Sequence, residues 1–161
     1  MRIVELILDP TDEQSGIEAI SVVETPAIEE NFIALNKHEV LLKEVDKEKR
    51  ILMGAALVPN KQIFRRNEKT DEDYYIFFSE DTVRKASELY FQKSNHQNAT
   101  LEHSEKLKGT TIVESWIVED SKTDKSALYG MDLPKGTWMV SMKIEDDALY
   151  EKAKTGEVKG F

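Results

Sequence analysis

Apolar and polar positions alternate most regularly in the second half of the chain. From Thr137 to Ile144, Trp138, Val140, Met142 and Ile144 fall on one face, with Thr137, Ser141 and Lys143 among those on the other. That period of two predicts a half-buried strand. Thr110 to Val118 alternates as well, and Ile112, Trp116 and Val118 share a face with Glu114, which places a carboxylate on the apolar side. Ile51 to Val58 is an unbroken apolar run containing Gly54 and closed by Pro59-Asn60, a pattern for a buried strand with a bulge or close backbone approach at the glycine. Tyr74 to Phe78 is a further aromatic and β-branched strand, set off by the turn-like Asn67 to Asp73.

One helix is plainly marked. Ser79 offers an N-cap, Glu80 and Asp81 complement the helix dipole, and Val83, Ala86 and Tyr90 form an apolar stripe that ends near Lys93 or Ser94. A shorter helix begins at Asp146-Asp147, carries Leu149 and Ala153 four apart, and stops at Gly156. The first 36 residues are weaker in pattern: Ile3 to Leu8 reads as a short strand stopped by Asp9-Pro10, and Gly16 to Leu35 as extended segments broken by Pro26, with edge strands the default expectation. Lys37 to Lys49 is charge-rich and reads as a solvated hairpin or loop. Strands, helix, strands and helix in this order predict an α+β fold with a mainly antiparallel sheet or barrel.

Composition narrows the chemistry. The chain has 161 residues, enough for one domain with an appended segment, and it contains no cysteine, which excludes disulfides, zinc-thiolate sites and a thiol nucleophile. Its net charge of −9 argues against nucleic acid, since the longest basic cluster is Arg65-Arg66. No stretch approaches the ~20 apolar residues of a membrane span, so a soluble protein made where it is used is expected.

Three histidines are present. His38 and His96 lie in polar surroundings and read as solvated loop residues, whereas His103 shares a strand face with Leu101. Glu114 raises the interest of His103. A carboxylate facing apolar neighbours must find a cation or donor, and a carboxylate that accepts from one imidazole nitrogen fixes the tautomer and frees the other nitrogen to act as a base. The two stretches could pair as neighbouring antiparallel strands; a structural ion pair, or a glutamate facing water, is the plainer alternative for Glu114. No internal serine stands out as nucleophile: Ser79 reads as a cap, Ser87 lies in a helix, Ser115 faces away from Glu114, and Ser104 adjoins His103 on the opposite strand face. There is no Gly-x-Ser-x-Gly elbow, phosphate-binding glycine loop or His-Glu-x-x-His motif.

Several stretches, in order along the chain, carry a resemblance: residues 16–35, Ala56-Leu-Val-Pro-Asn60, Tyr74-Tyr-Ile-Phe-Phe-Ser79, Asn98-Ala-Thr-Leu-Glu-His103, Val113-Glu-Ser-Trp-Ile117, residues 130–143 and Gly156-Glu-Val-Lys-Gly-Phe161. With these the sequence resembles the XkdF-like serine proteases of tailed phages, relatives of the prohead maturation proteases. The resemblance implies a herpesvirus-assemblin-like β-barrel flanked by helices; residues 1–36 read as an N-terminal arm or extended segment, and 37–161 as the protease-like domain, ending before the expected nucleophile. It implies a serine endopeptidase that processes phage scaffold and major capsid proteins within the assembling prohead in the bacterial host cytoplasm. Self-association is an open alternative, and no metal or organic cofactor is implied. His103 matches the family's general base, and Glu114 is the candidate for the residue that orients it. The family's nucleophilic serine directly follows a Gly-Phe pair, here Gly160-Phe161, so the sequence as it stands is expected to be inactive. The alternative from another class is a non-enzymatic phage head component built on the protease fold, and a weaker one is a hydrolase using an internal serine such as Ser104 or Ser141.

Overall fold

The computed structural model describes residues 1–9, 11, 20–22, 33–35, 49–97, 99–101, 105–106 and 108–161. These residues form ten strands and two α-helices: β1 (Arg2–Glu5), β2 (Ile20–Val22), β3 (Ile33–Leu35), β4 (Ile51–Leu57), β5 (Ile63–Asn67), β6 (Glu72–Phe77), α1 (Glu80–Gln92), β7 (Ala99–Leu101), β8 (Glu105–Lys106), β9 (Thr110–Ile117), β10 (Trp138–Ile144) and α2 (Asp147–Lys154). The strands make three sheets, ordered β3-β4-β10-β9, β1-β6-β5 and β2-β7-β8. The fold is α+β, and among the described residues the strands do not close into a barrel.

Both helices start where their caps dictate. The Ser79 side chain accepts from the Thr82 amide and that of Asp146 from the Leu149 amide, each satisfying an amide that the first helical turn leaves without a partner. Their apolar faces lie on one side of the four-stranded sheet. Val83, Ala86 and Tyr90 of α1 and Leu149, Tyr150 and Ala153 of α2 pack with Trp138, Val140, Met142 and Ile144 of β10 in one core cluster. The stripe predicted for β10 is therefore its helix-facing side.

The other side of β10 is not solvated, contrary to the half-buried expectation. Met139 joins Met53, Ala55, Ile63, Ile76, Val118 and Leu133 in a second cluster, and Ser141 beside it is wholly buried. The three-stranded sheet supplies Ile63 and Ile76, so the layers run helices, four-stranded sheet, three-stranded sheet. A central strand covered on both faces is buried whatever its alternation.

Two irregularities shift the faces. On β4 the extra residue is Ala56, between the pairs Trp138–Leu57 and Met139–Ala55, and not Gly54, which pairs regularly with Val140. On β9 it is Val113, between Glu114–Ser141 and Ile112–Met142. A bulge turns two residues toward one partner and reverses the alternation beyond it. Ile112 consequently packs in the helix-side cluster, while Trp116 and Val118 join the second one. The predicted face shared by Ile112, Glu114, Trp116 and Val118 is thus split, with Glu114 on the Trp116 side.

The N-terminal strands each lie at a sheet edge, as the default reading of that segment expects. β1 runs parallel to β6 from Arg2–Tyr74 to Glu5–Phe77, β2 parallel to β7, and β3 antiparallel to β4. β5, missed in the sequence because Arg65, Arg66 and Asn67 interrupt any apolar pattern, forms a hairpin with β6 through residues 68–71.

Candidate functional site

The polar chemistry of the sheet concentrates on β9. Lys125, in a 3-10 turn spanning Lys125–Tyr129, donates from Nζ to both Glu114 oxygens, at 2.8 Å to Oε1 and 2.6 Å to Oε2. The same ammonium lies 5.5 Å from the centre of the Trp116 ring. Trp116 Nε1 in turn donates to Asp124, 3.1 Å to Oδ1 and 3.2 Å to Oδ2. Asp124 caps the 3-10 turn, accepting from the Ser126 amide at 2.9 Å and the Ser126 hydroxyl at 2.6 Å. Two successive outward side chains of the strand thereby hold two successive residues of the loop. This is a clamp built from a salt bridge, a cation–π contact and an indole hydrogen bond.

The electrostatics follow from those contacts. The Lys125 ammonium holds the Glu114 carboxyl below its ordinary value; partial burial opposes this, and the cross-strand Ser141 hydroxyl and the charge of Lys49 reinforce it. For Asp124 burial is the largest single influence and acts upward, but the Ser126 hydroxyl, the Ser126 amide and the Trp116 indole together outweigh it and leave the carboxyl lowered. Both groups are therefore held as carboxylates. The Ser141 hydroxyl stands opposite Glu114 in the ladder and reaches hydrogen-bonding geometry with no group among the described residues, so its influence on Glu114 is one of proximity.

The clamp fixes the loop that leads into β10. Gly130 ends the 3-10 turn at φ 78°, and Leu133 is buried in the second cluster. Thr137 Oγ1 donates to Pro134 O at 2.7 Å, while Gly136 N donates to Val118 O at 2.8 Å. Gly136 sits at φ +90°, and a Cβ there would come within 2.7 Å of Glu80 Cγ. Positive φ and close approach together select glycine.

Of the residues the sequence singled out, Glu114 is described and His103 lies outside the described residues, as do His38 and Ser104. β7, just before His103, pairs with β2 and β8, and among the described residues β9 pairs with β10 alone, so the expected pairing of the two stretches is not among the observed ladders. His96 is not simply solvated: it is half-buried in a 3-10 turn (Asn95–Gln97), its ring parallel to that of Phe91 with centroids 6.4 Å apart. Among the serines, Ser79 is a cap, Ser87 donates to Arg84 O, and Ser115 accepts from Trp138 Nε1 at 2.9 Å on the side away from Glu114. Wholly buried, Ser141 has no route to a substrate carbonyl. Val158 and Gly160 are buried and Phe161 packs on the helix-side core, so the Gly-Phe pair is an integral part of the fold. Sequence reasoning missed Lys125 and Asp124; the Asp124-x-Ser126 spacing of an Asx-type cap was their one local signal.

Comparison with known families gives the class to which this arrangement belongs. The family described as "Putative phage serine protease XkdF" matches residues 37–161, and the chain belongs to that family. No curated protein and no solved structure matches it. Among the described residues, no helix is long and apolar enough to cross a membrane.

Proposed function

We propose that the chain is the domain of a phage serine endopeptidase that processes scaffold and major capsid proteins inside the assembling prohead. The family match over residues 37–161 is the observation that carries this reading. His103 acts as general base, and by the family pattern the nucleophile is a serine placed directly after a Gly-Phe pair such as Gly160-Phe161. The serine attacks the scissile carbonyl as His103 takes its proton, and the base then returns that proton to the leaving amine. Glu114 is the candidate to orient His103, a role in which it would share its carboxylate with Lys125 or release it. Closure of the sheets into an assemblin-like barrel, with residues 1–36 as an arm, belongs to the same proposal.

The test is to express the chain extended through the codons after Phe161 together with the capsid and scaffold proteins of the same phage. Specific cleavage is expected, with loss of about 10³-fold or more in the His103→Ala variant. Undiminished cutting by that variant refutes the mechanism. A second reading, a non-enzymatic head component, is favoured by the engagement of Glu114 with Lys125, which gives this carboxylate a structural role. Recovery of the uncleaved, folded chain from mature particles at fixed stoichiometry, with no cleavage by the extended form, supports it.

A further inference from the structure

Among the described residues β9 lies at the end of its sheet, with β10 as its one strand neighbour. A groove of about 460 Å³ runs between this strand and the outer flank of α1, lined by Arg84, Glu88 and Phe91 on the helix and by residues 112–117 on the strand. One end is bounded by the ion pair of Arg84 with Glu119 (3.2 Å), the other by the parallel Phe91 and His96 rings.

The strand's main-chain groups show what this groove accepts. Val118 donates to Thr137 O and accepts from Gly136 N, so it points its main-chain groups at the segment entering β10. In an antiparallel ladder that direction alternates, so Trp116 and Glu114 also point inward while Ser115 and Ile117 aim their N–H and C=O groups into the groove. Among the described residues those outward groups have no partner. An unpaired edge is a template for another extended chain. The bulge at Val113 limits pairing to the segment beyond it and leaves the Val113 side chain exposed at the rim, with Phe91 exposed across the groove. Charge adds a sign. Arg84 is neutralised by Glu119 and Glu114 by Lys125, whereas the exposed Glu88 carboxylate has no partner among the described residues.

We propose that the groove between α1 and the free edge of β9 docks an extended peptide segment by strand addition, with apolar side chains toward Phe91 and Val113 and a basic side chain beside Glu88. The proposal stands on the geometry of α1 and β9 and does not depend on whether the chain cleaves what it binds.

The probe is a fluorescein-labelled peptide of alternating valine and lysine, titrated against the whole chain at low salt. Saturable binding is expected, with slowed hydrogen exchange at the Ser115 and Ile117 amides, and N-methylation of the peptide's strand-facing amides abolishes it. Glu88→Lys, a change on an exposed helical face that leaves the thermal midpoint in place, weakens binding by about tenfold, and more so at low than at high salt. Absence of binding, equal binding of the valine–glutamate peptide, or unchanged exchange at Ser115 and Ile117 overturns the proposal. So does concentration-dependent dimerisation that protects the same amides, since the occupant is then a second copy of the chain.

Discussion

β9 and β10 are neighbours in one sheet, and both alternate clearly in sequence, yet they do different work. β10 is buried on both faces, with Trp138, Met139, Val140 and Ile144 fully enclosed. Among the described residues β9 has one neighbour, a bulge at Val113, and two side chains, Glu114 and Trp116, that hold a polar loop. In a central strand the side chains answer to packing, where a missing methylene is felt on both sides. In an edge strand they can hold charges at the boundary with water, where ionised groups keep much of their hydration. Stability and polar chemistry are thus divided between adjacent strands, joined by the hydrogen bond from Trp138 Nε1 to Ser115 Oγ.

The sharpest way to break that division is in β10. Trp138→Ala removes the largest fully buried side chain of the helix-side cluster and its contact with Tyr90, whose ring lies 5.4 Å away, and should cost about 3–5 kcal/mol in chemical denaturation. A loss below about 1 kcal/mol would mean that the two helices do not depend on this strand. Gly136→Ala acts on the turn between the strands. Positive φ and the approach to Glu80 predict a loss of about 1–3 kcal/mol, and Glu80→Ala in the same chain should recover part of it by opening the space. If the double variant is no better than Gly136→Ala, the backbone angle alone accounts for the effect.

Changes in the β9 clamp should be smaller and dependent on pH. Glu114 and Lys125 are each more than a third exposed, so Glu114→Gln is expected to cost no more than about 1 kcal/mol, and less in high salt. A carboxyl whose folded pKa is depressed stabilises the fold above its unfolded pKa, near 4.5 for Glu114, and loses that contribution as pH falls through the lower folded value. The parent chain should therefore lose more stability than Glu114→Gln as pH drops below about 4.5, with the two converging in acid. Parallel acid-denaturation curves for the two proteins would show that the Lys125 contact contributes nothing.

The features legible in the sequence are those set by neighbours along the chain. Ser79 and Asp146 announced both helices, and the alternation of Trp138 to Ile144 identified the side on which the helices pack. What the sequence hid depends on distant partners. The bulge at Val113 follows from the register with β10, yet it decides whether Glu114 sides with Ile112 or Trp116. The burial of Ser141 depends on a second sheet contributed by residues 63–77, and the partner of Glu114 comes from a loop eleven positions on. His103 drew attention through Leu101 and Glu114 in the sequence, and its role in the proposed function rests on the family.

The parallel pairing of β1 with β6 has a consequence for the order of events during synthesis. Arg2 to Glu5 leave the ribosome first, but their ladder partners, Tyr74 to Phe77, follow only after the intervening chain. β4 has β3 before it, but waits longer still for its other partner, since β10 lies beyond residue 137. A nascent chain held at residue 100 would already contain β1, β5 and β6 but neither β9 nor β10, so one hairpin with an added strand would precede the principal sheet. Such separated pairings delay closure of the core and slow folding relative to a helical bundle of equal size. Until β10 arrives, the apolar run of β4 remains without its main cover and is the segment most in need of protection from association.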